Sequence, residues 1–235
     1  MARTFLTAEW RKLVLASYVV PESLLLPYVP IGTEPDLYEG RCYVSLVGFL
    51  FRETRLFGVR VPFHVEFEEV NLRFYVRRGE RRGVVFVREI VPRTALRVVA
   101  NAFYGEKYVK ARMRHEWKIG PERVSVSYGW RMGGRWHGIR VKAGFQLQVV
   151  APGSDEEFIT EHYWGYTKSR RGRTSEYEVV HPRWEVYPVE SFAVDVDFAQ
   201  VYGAEFAGLN AMQPHSVLLA EGSDVVVRSG SRVRV

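Results

Sequence analysis

The chain has 235 residues, 47% of them hydrophobic, and carries 33 Lys and Arg against 27 Asp and Glu for a net charge of +6, so it can bury a sizeable core and reads as a single domain over residues 1–235. Its longest apolar stretches, Leu13 to Pro21 and Ser23 to Pro30, stop well short of the roughly 20 residues of a membrane span; no secretory leader is legible at Met1–Trp10, and the lone Cys42 has no internal disulfide partner, which together point to the cytoplasm. The basic excess invites a nucleic-acid reading, but much of it gathers at Arg77–Gly83 and Lys168–Arg173, where Gly provides turn geometry and charge is simply solvated, so neither nucleic acid nor membrane is expected as a partner.

Strand patterns dominate in chain order. Val14–Val20 reads as a strand, and Pro21–Leu26, with Pro and Glu at its start and Pro27 behind it, as one or two helical turns. Further strands are expected over Arg41–Phe51, residues 63–77, Gly83–Val91 and Lys107–Lys118. Thr94 is placed to cap a helix over Ala95–Phe103, whose Ala95, Val98, Val99, Ala102 and Phe103 form an apolar stripe. Val124–Trp130 and Ile139–Val149 alternate apolar and polar residues around Met132-Gly133-Gly134-Arg135, the mark of a long antiparallel hairpin with one wet face. A second hairpin is expected to join Phe158–Tyr166 to Ser175–Tyr187, with Pro182 at a bulge or edge. A third short helix falls within Glu190–Leu209, and strands around Val217–Leu219 and Val225–Arg228 complete the chain.

The segment over residues 63–77 is the most informative. Because side chains on a strand alternate between faces, Phe63, Val65 and Phe67 share a side with Glu69, Asn71, Arg73 and Tyr75. That face turns polar midway. Either the strand twists out of its core and exposes a charge pair, or the three groups point into a cavity that needs them. Both readings stay open on the residues alone.

Trp10, Pro21-Glu22-Ser23-Leu24, Pro27, the run Tyr38–Phe49, the element Phe67–Val76, and Tyr104-Gly105 followed by Ala111-Arg112-Met113 resemble, in that order, the YqjF-like domain-of-unknown-function family of bacteria. That family is similar to the acetoacetate decarboxylase superfamily. The resemblance implies a mainly β fold, a cone-shaped antiparallel β-barrel with a few short helices around a small-molecule cavity, and so favours the cavity reading. Decarboxylases of that superfamily form a Schiff base on a Lys in a conserved motif, which matches Ala100–Tyr108 here. Tyr104 and Gly105 agree with it, but Tyr108 stands at the nucleophile position, and a phenol cannot form an imine. Lys107 sits one residue earlier and, by strand parity, shares a face with Val109, Ala111 and Met113 rather than with Tyr108 and Lys110. A Lys desolvated in an apolar pocket becomes a usable amine; at a strand's first residue it can equally carry its ammonium to water.

His64, Glu66 and Glu68 share a strand face at a spacing that could serve a metal, but the parity opposite to Phe63, Val65 and Phe67 makes it a solvated outer face. No metal or cofactor is expected, and no zinc, phosphate-loop or dinucleotide motif is present. The reading favoured is a small-molecule-binding β-barrel for an acidic or aromatic ligand. Glu69, Asn71, Arg73, Tyr75, Tyr108 and Met113 are its candidate ligand-binding residues, with Glu69 neutralising or orienting Arg73. The alternative is a lyase or hydrolase-like enzyme on a keto or enol substrate with Lys107 as its amine. A homo-oligomer is compatible with either.

Overall fold

The computed structural model describes residues 3–60, 65–93, 108–169 and 172–233. In chain order it contains β1 (Thr4–Val20), α1 (Glu22–Leu25) running into a 3-10 turn (Leu26–Tyr28), β2 (Glu34–Pro35), β3 (Cys42–Leu56), β4 (Val59–Arg60), β5 (Phe67–Arg78) and β6 (Arg81–Val91). Then come β7 (Tyr108–Lys110), β8 (Arg112–Ile119), β9 (Arg123–Met132), β10 (Arg135–Gly144), β11 (Gln148–Val149), α2 (Asp155–Thr160), β12 (Trp164–Lys168) and β13 (Thr174–Val180). The chain continues with β14 (Glu185–Tyr187), β15 (Val189–Asp195), α3 (Phe198–Tyr202), a 3-10 segment (Ala204–Ala211), β16 (Ser216–Arg228) and β17 (Ser231–Arg232). The fold is mainly β, as the alternating patterns require. The helix expected over Ala95–Phe103 lies outside the described residues.

The large sheet runs β16-β1-β3-β5-β6-β12-β13, and β13 also pairs β16 through Val179 and Val180, so the pairings return to their starting strand. It is mixed rather than purely antiparallel, which corrects the expectation from sequence. β12 lies parallel to β6 at Trp164↔Gly83 and Gly165↔Val84, and β7 lies parallel to β6 at Tyr108 to Lys110. Both strands are reached through long connections, which allow either direction, whereas the tight turns elsewhere enforce antiparallel neighbours. At the β6–β12 seam the backbones approach so closely that a Cβ on Gly83 would sit 2.5 Å from the Trp164 carbonyl oxygen.

The second sheet, β15-β10-β9-β8, packs on one face of the first. Val124, Val126, Tyr128, Trp130, Ile139, Val141 and Ala143 bury one side of it in a shared core with Val70, Leu72, Phe74 and Val76 of β5. Its other side carries Arg114, Lys118, Ser125, Ser127, Arg140 and Lys142, the wet face expected of this hairpin. The opposite face of β5 contributes Phe67 and Tyr75 to a separate core with Phe49, Phe51, Phe158 and Trp184. Buried on both sides, β3 reads as a near-continuous apolar run over residues 42–51.

Several boundaries differ from the sequence reading. β10 stops at Gly144, whose N–H donates to Pro188 O at 2.9 Å, and Phe145, Leu147 and Val149 beyond it are exposed. Residues expected to begin the second hairpin instead form α2, whose start is capped by Ser154 Oγ accepting from Glu157 N at 3.1 Å. Ser154 followed three residues on by Glu157 is a helix-start signal that the period-2 reading passed over. Pro182 falls in the break between β13 and β14. Where one strand was expected over Lys107–Lys118, the described residues form two, since β7 joins the large sheet and β8 the small one.

β1 holds a bulge where its register against β3 shifts between Arg11 and Val14, and Lys12 takes φ 53° there. Lys12 Nζ donates to Tyr187 Oη at 2.8 Å and to Glu221, while Tyr128 Oη donates to the Lys12 carbonyl at 2.9 Å, tying the two sheets together. Gly222 opposes Arg11 with φ +84°, and a Cβ there would lie 1.9 Å from Trp10 O. Both the left-handed backbone and the contact exclude a side chain. Gly222→Ala should therefore lower stability by about 2–4 kcal/mol, read as a lower urea midpoint; an unchanged midpoint would refute the close approach.

Candidate functional site

Strand alternation carries Glu69, Asn71 and Arg73 to the side of β5 shared with Phe67 and Tyr75. All three are buried, at 2%, 1% and 8% exposure. They line a cavity of ≈ 90 Å³ walled by Trp10, Phe49, Phe51, Phe86 and Trp184. A register shift between β5 and β6, in which Leu72 faces Arg88 but Arg73 faces Phe86, leaves Val87 unpaired and changes which residues of β6 point inward. The bulge brings Glu89 onto the cavity side together with Phe86 and Val84. Strict alternation would put Glu89 and Phe86 on opposite faces.

Inside, Asn71 Nδ2 donates to Glu69 Oε1 at 2.9 Å. No ion pair joins Glu69 to Arg73 among the described residues, in place of the mutual neutralisation expected from sequence. Glu69 Oε2, Asn71 Oδ1 and Arg73 Nε have no hydrogen-bond partner. Burial pushes the Glu69 carboxyl up to about 7, against the lowering effects of the Asn71 hydrogen bond and the Arg73 charge. A carboxylate in a dry site loses its hydration, so near neutrality this group can hold or release a proton.

Two histidines that the sequence reading had not singled out complete the polar lining: His162, just after α2, and His181, just after β13. Burial lowers His162 to about 4, so the ring is neutral, and its Nε2–H donates to Asp36 Oδ2 at 3.0 Å because a carboxylate only accepts. Arg82 Nε donates to the same oxygen at 2.7 Å. Burial pushes Asp36 up, but these hydrogen bonds outweigh it and hold its carboxyl below the usual range. His181 gives its Nδ1–H to Pro182 O at 2.9 Å and stacks on Trp184 with ring centroids 4.3 Å apart.

The remaining candidates divide. Tyr108 lines the cavity, although parity along one continuous strand put it on the polar outer face; the break at Ala111 is the reason, because β7 answers to the large sheet alone. Tyr75 is buried behind the lining, its Oη 2.7 Å from Ser45 Oγ and its ring centroid 4.5 Å from that of His162. Met113 does not join them: it lies on β8 and packs in the core between the sheets. Lys107 lies outside the described residues. Glu89 carried a sequence signal, a carboxylate among Val85, Val87 and Val91, whereas nothing local marks His162 as facing inward.

A family model described as "Uncharacterized conserved protein (COG2071)", DUF2071, matches residues 7–224. The uncharacterized protein YqjF of Bacillus subtilis (strain 168) is 29% identical over 108 residues, covering 46% of this chain and 45% of YqjF, so the match spans under half of that relative. Among solved structures, an acetoacetate decarboxylase from Legionella pneumophila superposes with a TM-score of 0.67 at 12% identity, over 98% of this chain and 87% of that one. The enduracididine biosynthesis enzyme MppR superposes with a TM-score of 0.68 at 12% identity, over 99% and 88%. At such identity the likeness shows the acetoacetate decarboxylase-like fold.

The buried carboxyl has a pH signature. The folded protein holds the Glu69 proton more tightly than the unfolded chain, whose value is the ordinary 4.5. Its contribution to stability is therefore full below about 4.5, declines as the pH rises to about 7, and levels off above. Glu69→Gln should remove this decline and gain roughly 3 kcal/mol relative to the parent between pH 4 and pH 8, measured by urea denaturation. Parallel curves for the two proteins would show that Glu69 titrates normally.

Proposed function

The chain belongs to the DUF2071 family, and from that premise we propose that it binds a compact acidic molecule inside the large sheet, which serves as a barrel-like wall. One observation carries the reading: a buried guanidinium with an unpartnered Nε, and no carboxylate paired to it among the described residues, faces a small cavity with aromatic walls. Removing such a charge from water costs several kcal/mol unless an anion offsets it. Arg73 would supply the fork for a carboxylate or other acidic oxygen, Asn71 the donor and acceptor that orient it, and Glu69 a group whose proton adjusts to the bound charge. The size class agrees with a structural neighbour, since MppR has been solved in complex with pyruvate, a small carboxylic acid. No described helix is long and apolar enough to cross a membrane, and a lone, buried Cys42 suits a cytoplasmic setting.

Amine catalysis on a keto acid would need Lys107, because Tyr108 occupies the matching position and lines the cavity without an amine. Borohydride reduction in the presence of a panel of keto acids should therefore leave the protein unmodified; a trapped adduct on Lys107 would replace binding with Schiff-base chemistry. Native mass spectrometry of the purified protein should reveal a bound small acid that Arg73→Ala no longer retains, with affinity for it weakened on the order of 100-fold. Arg73→Lys should lie between, since it keeps the charge but loses the fork. Equal contents and equal affinity in parent and Arg73→Ala would overturn the proposal.

A further inference from the structure

Resting on the acidic-ligand reading, we infer that His162 accepts a hydrogen bond from an O–H or N–H group carried beside the acid, so that the cavity selects a compact hydroxy or amino acid over a plain or oxo acid. The ring is fixed on every side that matters. Its side chain is 1% exposed, tilted against Tyr75 and edge-on to Phe158 at centroid distances of 4.5 and 5.1 Å. Asp36, itself held by Arg82, takes the Nε2 proton at 3.0 Å, the shorter contact at that nitrogen, since Arg82 Nη2 stands 3.4 Å from it. The lone pair is thereby confined to Nδ1, a buried atom with no partner in a ring that lines the cavity. Arg73 Cζ stands 5.9 Å from the same Tyr75 ring, so anion anchor and acceptor flank one aromatic side chain.

The other unpartnered atoms lean the same way. Asn71 Oδ1 and Glu69 Oε2 accept, as His162 Nδ1 does, while Arg73 Nε and Trp10 Nε1 donate. A plain carboxylate answers only the donors and leaves three lone-pair acceptors facing its oxygens and hydrocarbon. An oxo group adds one more acceptor. A hydroxyl or ammonium next to the carboxylate supplies the hydrogens these acceptors lack. A buried polar group left unmet weakens binding about tenfold or more, and a site built around a ligand O–H or N–H rejects the analogue without it. Asp36 acts through His162 and is a positioning residue.

Calorimetric titration of the full chain at pH 8, where Glu69 is ionised, with lactate, alanine, pyruvate and propionate compares four acids of equal carbon count. Lactate or alanine should bind at least about tenfold more tightly than pyruvate and propionate. His162→Phe should erase that preference, bringing lactate and alanine down to the affinity shown by propionate. Nitrogen-15 NMR of the parent protein supplies a readout that does not depend on the variant folding: Nδ1 of His162 should be unprotonated in the free protein and shift on adding the preferred acid, and Asp36→Ala should mix the tautomers and reduce the preference. Equal affinity for all four acids, each lost in Arg73→Ala, would overturn this inference and leave the acidic-ligand reading standing. A protonated Nδ1 in the free protein, or a preference that survives in His162→Phe, would also overturn it. No binding of any acid would overturn both.

Discussion

Between Glu69 and Val76 the central strand β5 has no side that meets water. One face lies in the core between the two sheets and the other looks into the interior of the large sheet, so every polar atom it carries must be satisfied there or be left at a cost. Val70, Leu72, Phe74 and Val76 meet this constraint with hydrocarbon; Glu69, Asn71 and Arg73 cannot. Their partial satisfaction, one amide-to-carboxylate bond among the three and an unpartnered atom on each, concentrates unmet polarity around one cavity of ≈ 90 Å³. Such groups persist where function retains them, since an apolar strip of the same volume would be more stable.

The period-2 pattern made this face legible, because alternation follows from backbone geometry and survives any detail of packing. It was enough to bring Glu69, Asn71 and Arg73 to one side and to divide β9 and β10 into wet and dry faces. It failed where the backbone leaves strict alternation. The bulge at Val87 reverses parity along β6 and turns Glu89 inward, and the break at Ala111 separates Tyr108 from Met113. His162 was invisible for a different reason: its direction depends on α2, whose capping signal is local, and on Asp36, which lies 126 residues away.

The site is assembled from strands distant in sequence, and the second sheet holds the first in place from outside. Tyr128 reaches from β9 to the carbonyl of Lys12 in the β1 bulge, and two residues before Lys12 stands Trp10, part of the cavity wall. Packing of this kind depends on size and face rather than on identity. That is why a fold can be shared with acetoacetate decarboxylase at 12% identity.

The circuit of strands is not equally strong all round. β1 is joined to β3 and to β16 along nearly its whole length, whereas β12 meets β6 through two residue pairs and β13 meets β16 through two more. Thermal fluctuations part the shortest ladders first. Backbone amides along those two seams, at the edges of the β12–β13 hairpin, are thus expected to exchange with solvent ahead of the amides of β1, β3 and β5.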